Sequence, residues 1–296
     1  MKEKRSPFFA YRYLVTPTSE QRTITQELSK PKEELIRDFI EKLAITTKTE
    51  WTKGKKRYLF YGSQHFENVY IIKYAKESNE NIYVEGDNDI TIERIKEAKF
   101  VYLFIDTHHQ VILLERNQTV FSSIDNAIAV LADFFREHMR EFDYVVNIYP
   151  LVSKRKFWNY VENADQIFEL TLQLNAPNMA FFGHEDTRDV LQQIKDTTNN
   201  EEFDLSFKNK EGSLRIIKES LGSWIDYVRE VGGRYILKFS NNGVTDTKTS
   251  ESDTAKTYIP RKKAEKYDED ELENIRTKLE AMHKLENRDE EDESQE

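Results

Sequence analysis

The sequence predicts an α+β protein: two mixed αβ sub-domains with largely antiparallel sheets, followed by a C-terminal helix. Three observations carry this reading. Short apolar and aromatic runs of strand character recur along the chain, bounded by polar turns. Apolar stripes at helical spacing fall between some of them. Aromatics make up 12% of the 296 residues, which argues against overall disorder. The length suits one large domain or two of about 150 residues.

Phe8 to Val15 reads as a first strand, ending before Thr16-Pro17. Ser29 and Pro31 announce a helix in which Leu35, Ile36, Phe39, Ile40 and Leu43 form one stripe. Thr47 to Lys56 is polar and reads as a turn. Tyr58 to Tyr61, Val69 to Tyr74 and Asn81 to Glu85 read as short strands, and Glu93 to Ala98 as a helical turn. Phe100 to Ile105 is nearly all apolar, as a strand covered on both faces must be, and Val111 to Leu114 matches it across a compact turn. Ser123 to Arg140 is the clearest helix of this half.

From Phe142 the rhythm changes. Tyr144 to Val152 is a strand, Ser153 caps a helix running to Ala164, and Gln166 to Leu174 alternates as a strand. A helix over Thr187 to Asp196, a strand over Phe203 to Phe207, a helix over Leu214 to Val231 and a strand over Arg234 to Ser240 follow, with Gly232-Gly233 as a stop. The segments Phe142 to Leu174 and Phe203 to Phe239 share a βαβ rhythm without shared identity. Asn241 to Lys256 reads as a linker, and Thr257 to Ile259 as an edge strand closed by Pro260. Asp268 and Glu271 have capping-box spacing before the last helix. The expected domains are 1–141, 142–260 containing βαβ, and 261–296 as helix plus disordered acidic tail.

Charge is uneven. The net charge is −10, but Leu285 to Glu296 alone carries −6, leaving −4 for the rest. That remainder includes three basic clusters: Lys53, Lys55, Lys56 and Arg57; Lys154, Arg155 and Lys156; and Arg261, Lys262 and Lys263. The first two lie beside Trp51, Tyr58 and Phe60, and beside Phe157, Trp158 and Tyr160. Cations that meet phosphates beside aromatics that stack on bases are the footprint of nucleic-acid binding, although Phe157, Tyr160 and Val161 also have the spacing of a core stripe. The absence of cysteine excludes disulfides, thiolate metal sites and cysteine nucleophiles. With no signal-like segment and no apolar run of spanning length, a cytoplasmic protein without a membrane partner is expected.

Glu85-Gly86-Asp87-Asn88-Asp89 follows the strand-like Ile82-Tyr83-Val84. It resembles the first motif of the Toprim nuclease fold, where a glutamate at a strand end serves Mg²⁺ chemistry. The resemblance requires a later pair of carboxylates two residues apart. Here Asp106 is followed by Thr107 and His108, so the second aspartate is missing. Glu85, Asp87, Asp89 and Asp106 are thus the candidate catalytic set of a metal-dependent nuclease, with Mg²⁺ as cofactor; without that activity no cofactor is expected. Asp106-Thr107-His108-His109 also suits an ordinary hairpin turn, and His184-Glu185-Asp186 is read first as a helix cap at Asp186. His65, His138 and His283 have no site-forming companions, and no P-loop, dinucleotide, hydrolase-elbow, zincin or EF-hand motif occurs.

Leu272, Ile275, Leu279 and Met282 form a narrow stripe, either docked on the body or offered to a partner or a second copy of the chain. Phe100 to Glu115, Phe142 to Pro150 and the corner Leu174-Asn175-Ala176-Pro177-Asn178 are together similar in rhythm to uncharacterised bacterial proteins of mobile elements and phage-defence islands. That resemblance implies a role in phage–host conflict. The preferred expectation is an interaction protein of antiviral defence that binds nucleic acid or a protein partner. The alternatives are the nuclease and a structural subunit of a larger complex.

Overall fold

A computed structural model of the protein describes residues 5–17, 31–85, 90–175, 185–198, 200, 202–230, 232–262 and 266–291. The element order is β1 (Arg5–Pro17), α1 (Lys32–Ile45), β2 (Thr49–Lys53), β3 (Lys56–Phe66), β4 (Val69–Glu85), β5 (Ile90–Asp106), β6 (Val111–Glu115), α2 (Ile124–Met139), β7 (Tyr144–Pro150), α3 (Lys154–Asn163), β8 (Gln166–Asn175), α4 (Glu185–Thr198), β9 (Glu202–Lys208), α5 (Lys218–Glu230), β10 (Gly233–Asn241), β11 (Val244–Thr249), β12 (Lys256–Pro260) and α6 (Glu269–Glu291). The α+β class therefore holds, with antiparallel sheets and a C-terminal helix. The chain divides into two compact units. One comprises Met1–Phe9, Pro17–Asn147 and Thr257–Leu279; the other comprises Ala10–Thr16, Ile148–Lys256 and Glu280–Glu296. One division falls between 147 and 148, and both β1 and α6 run through the division.

In the first unit the order β6-β5-β4-β3-β2 is built from consecutive antiparallel hairpins. Pro7 carbonyl accepts from Arg116 N–H, which ties the start of β1 beside β6. Side chains alternate across the sheet, so register decides which face each one joins. Phe60, Tyr74 and Val101 are cross-strand neighbours on one face. There Phe60 stacks on Phe134 of α2 with centroids 4.2 Å apart, and Tyr74 hydroxyl donates to Ala127 carbonyl. α1 joins the same layer, where Phe39 packs edge-on to Phe135. Ser123 hydroxyl accepts from Asn126 N–H and so caps α2. Gly62 lies where a Cβ would meet the Ala44 carbonyl oxygen at 1.8 Å, so only glycine lets the end of α1 approach β3 this closely.

Tyr102 and Phe104 face the other way and meet Tyr267, which lies edge-on to both. Both faces of β5 are thus covered over Val101 to Ile105, which is why its sequence is continuously apolar. Polar links fix the segment around Tyr267. Gln64 amide donates to Tyr267 carbonyl at 2.9 Å and accepts from its N–H at 2.7 Å, and Tyr102 hydroxyl donates to Lys262 carbonyl. The expected capping box forms, with Asp268 and Glu271 each accepting from the other's N–H at 2.9 Å.

The β5–β6 ladder stops at the pair Leu103 and Leu114, leaving Tyr102 N–H and Phe100 carbonyl without strand partners on that edge. Side chains take over. The buried Glu115 carboxylate accepts Tyr102 N–H at 3.0 Å. Arg261 donates to Phe100 carbonyl at 2.9 Å, pairs with Glu115 at 2.7 Å and stands over the Phe100 ring.

The second unit holds a four-stranded antiparallel sheet ordered β11-β10-β8-β9. One face packs on Phe157 and Trp158 of α3, Leu191 of α4 and Ile225 and Val228 of α5. Because β9 and β10 both run antiparallel to β8, β9-α5-β10 is a βαβ unit split by β8. The other expected unit does not form: β7 pairs with β1, away from the sheet that contains β8. Buried Asp253 accepts from Tyr160 hydroxyl at 3.0 Å and from Tyr235 hydroxyl, fixing the turn after β11. Burial and the Asp253 hydrogen bond push the Tyr160 phenol up to about 12.

Other expectations change as well. Glu93 to Ala98 is strand rather than helical turn, because it pairs residue for residue with β4. Thr49 to Lys53 is a strand paired with β3. Asn241 to Lys256 is not a linker: β11 pairs with β10 around Asn242 and Gly243, both at positive φ. α5 begins only at Lys218, since Leu214 N–H is taken by Ile167 carbonyl. α4 begins at Glu185, so Asp186 lies within the helix and is not its cap.

Removing Arg261 leaves the Glu115 carboxylate buried and uncompensated. Arg261→Ala is expected to lower unfolding free energy by about 3 kcal/mol in denaturant titration. A loss below about 0.5 kcal/mol, the size of an ordinary surface change, would contradict the assigned role.

Candidate functional site

The hairpin tip between β5 and β6 places Asp106 where its side chain is 3% exposed. One carboxylate oxygen accepts from the backbone N–H of His108 at 2.9 Å and of His109 at 3.1 Å. The other oxygen meets Nδ1 of His109 at 2.7 Å. Gln110 then turns the chain at φ 57, and Thr107 N–H donates to Asn68 carbonyl. The lone pairs of Asp106 are thus occupied by the turn itself. Its local role is to hold four turn residues in shape, as aspartate does in tight turns.

The nuclease set is not brought together. Glu85 is the register partner of Ile90, whereas Asp106 is the partner of Val69. These pairs are the two ends of one ladder. Ile90 and Asp106 stand sixteen residues apart on β5, about 50 Å at about 3.3 Å per residue. Carboxylates that share a metal ion must lie within a few ångströms of it, so Glu85 and Asp106 cannot form one centre. Asp87 and Asp89 lie outside the described residues. No group of three or more metal-ligating side chains occurs among the described residues.

The first basic cluster is a hairpin turn. Lys53 and Lys56 are its last register pair, and Gly54 takes φ 60. Lys53 pairs with Asp133, and Arg57 pairs with Glu50 and, at 3.0 Å, with Glu77. The Arg57 guanidinium, helped by Lys48, holds the Glu50 carboxyl down at about 2. Lys55 and Lys56 are exposed. The aromatics expected to stack on bases are buried: Trp51 donates its indole N–H to Glu137 at 2.8 Å, and Tyr58 packs against it. In the second cluster Lys154, Arg155 and Lys156 open α3, with Arg155 and Lys156 exposed, while Phe157 and Trp158 lie in the core. The combined footprint of cations with available aromatic faces is therefore absent from both clusters among the described residues.

The C-terminal stripe is also occupied. Leu272, Ile275 and Leu279 are buried and Met282 is half-buried, so these side chains do not form a free seam for a second copy. Of the isolated histidines, His65 stacks on Tyr70, His138 packs on Phe39 and Phe134, and His283 Nδ1 faces Arg12 at 3.3 Å. His184 lies outside the described residues.

One feature escaped the sequence reading. β4 and β5 pair over seventeen positions without a register shift. β3 pairs with β4 only between Val69 and Lys76, and β6 pairs with β5 only between Leu103 and Asp106. From the pair Glu77 and Ala98 to the pair Glu85 and Ile90, nine register pairs continue with no third strand among the described residues. That ribbon is about 27 Å long. A two-stranded ribbon is marginal in water, because a strand at a sheet edge pairs on one side only. The sequence signal was the pair of short strand-like runs Ile82-Tyr83-Val84 and Ile90-Thr91-Ile92 on either side of Glu85 to Asp89. No known protein-family model matches the chain, and no curated protein matches it. No helix among the described residues is long and apolar enough to cross a membrane.

Because Asp106 serves the turn, Asp106→Ala should lower stability by about 2 kcal/mol. Asp106→Asn should lower it by less, since an amide oxygen still accepts the two N–H groups. Equal losses by thermal and denaturant unfolding would contradict this assignment.

Proposed function

We propose that this protein is a non-enzymatic interaction protein that binds a protein partner through the ribbon formed by the outer parts of β4 and β5. The setting is the one its sequence resemblance implies, bacterial defence against phages. The observation that carries the proposal is the ladder register. It separates Glu85 from Asp106, and the same ladder carries nine register pairs with no third strand among the described residues. A sheet edge of this length is a template for strand addition, in which main-chain hydrogen bonds supply affinity. A protein partner is favoured over nucleic acid because Lys53 and Arg57 already serve carboxylates and the nearby aromatics are buried.

The test compares three chains in a bacterial host challenged with phages: wild type, Glu85→Gln, and a shortened ribbon. In the last, Asn-Gly joins the register partners Asn79 and Lys96 in place of residues 80–95. Wild type and Glu85→Gln should protect equally, and the shortened chain should fold, as judged by circular dichroism, yet lose protection. Retained protection by the shortened chain would overturn the proposal. So would Mg²⁺-dependent cleavage of plasmid or RNA that Glu85→Gln abolishes.

A further inference from the structure

We infer that the tip of the β5–β6 hairpin is a metal site, where His108 and His109 together bind a divalent transition ion of the imidazole-seeking class, Zn²⁺, Ni²⁺ or Cu²⁺, with Asp106 as the positioning residue. The inference stands apart from the ribbon, since Ile90 and Asp106 are the opposite ends of β5.

Adjacent residues on a strand point to opposite faces and cannot serve one ion. The turn removes that obstacle. Residues 107 to 110 leave the ladder, and the rings of His108 and His109 lie with centroids 4.6 Å apart. Two imidazoles bound side by side to one ion, at metal–nitrogen distances of about 2.0–2.1 Å, put their centroids about 4.5 Å apart at a right angle and about 5.2 Å apart at the tetrahedral angle. The observed separation falls within that range, so ring rotation closes the pair on an ion without moving the backbone.

Asp106 orders both ligands. One oxygen holds the backbone N–H groups of His108 and His109 at 2.9 and 3.1 Å, and the other meets Nδ1 of His109 at 2.7 Å. A carboxylate only accepts, so the proton of the neutral ring sits on Nδ1 and the lone pair on Nε2, which faces away from Asp106. A carboxylate behind the ring and a metal in front of it is how metal-binding histidines are held in one tautomer. The Asp106 side chain is 3% exposed, whereas His108 is exposed and His109 half-buried, so the orienting group is sheltered and the ligands are reachable. Nitrogen donors select the ion: imidazole suits zinc, nickel and copper, while Mg²⁺ and Ca²⁺ take oxygen. The remaining coordination positions go to water or to an incoming donor, as in zinc sites that keep an open position.

The experiment titrates Zn²⁺ into the full chain by calorimetry, in about a hundredfold excess of Mg²⁺ to occupy carboxylate clusters. Wild type should take up one equivalent. His108→Asn and His109→Asn should each weaken binding by at least about tenfold, and Asp106→Asn by about tenfold. His65→Asn removes another exposed histidine near the same end of the sheet and should bind as wild type does. Nitrogen NMR of the imidazoles supplies a second readout, with circular dichroism to show that each variant is folded. The ring signals of His108 and His109 should move together at the first equivalent while that of His65 stays. In metal-free Asp106→Asn the side-chain amide donates to Nδ1, so the His109 proton should shift to Nε2.

No uptake by wild type would overturn the inference. So would unchanged binding in either His108→Asn or His109→Asn, equal loss in His65→Asn, or ring shifts confined to one of the two histidines. Wild-type affinity and an unmoved His109 proton in Asp106→Asn would overturn the positioning role of Asp106.

Discussion

The structure turns on how the edge of β5 is satisfied. Up to Leu103 its hydrogen bonds go to β6. At the next two positions the ladder is finished by side chains, with Glu115 accepting Tyr102 N–H and Arg261 donating to Phe100 carbonyl. A buried carboxylate is costly to desolvate, and that of Glu115 is tolerable because the half-buried Arg261 guanidinium pairs with it and Tyr102 N–H donates to it. This pair closes the sheet edge at one place and attaches the segment that leads from β12 into α6. Tyr267 then seals the aromatic face of Tyr102 and Phe104, and Gln64 holds Tyr267 by both of its backbone groups.

Beyond Lys99 that accounting has no counterpart among the described residues. β5, buried from Val101 to Asp106, continues on the other side of Lys99 into a ribbon with β4 alone among the described residues. Alternation, strand pairing and charge act in both halves, and only the neighbours differ. Where α2 and Tyr267 cover the sheet, the sequence is apolar on both faces; in the ribbon, charged and polar residues are mixed with Ile, Val and Tyr. The contrast marks where folding ends and binding is proposed to begin.

Strong local patterns were legible in the sequence. The Phe100 to Leu114 hairpin, the capped helix after Ser123 and the Asp268 and Glu271 box each rest on residues close in the chain, and each formed. Features set by distant partners were not legible. Glu93 to Ala98 has no period of its own and is strand because β4 lies beside it. The stripe on α6 is too narrow to cover a core by itself, and it docks because polar clamps at Gln64 and Glu115 hold the preceding segment. Asn242-Gly243 was a readable hairpin signal, hidden by the polar composition of β11, whose outward residues face water. Glu85 and Asp106 stand apart for a topological reason: a linear motif does not reveal that the strand after it returns in register along its whole length.

The claim beneath all of this is the length and register of the β4–β5 ladder. The chain has no cysteine, so two can be introduced without competition, at Glu85 and at exposed His108. Spin labels at these positions report the distance between the two ends by pulsed electron paramagnetic resonance. An unbroken ladder gives a single population near about 50 Å. A distance below about 20 Å, the span of a shared catalytic cleft with two label arms, would show that the ladder folds back and that the acidic residues meet after all.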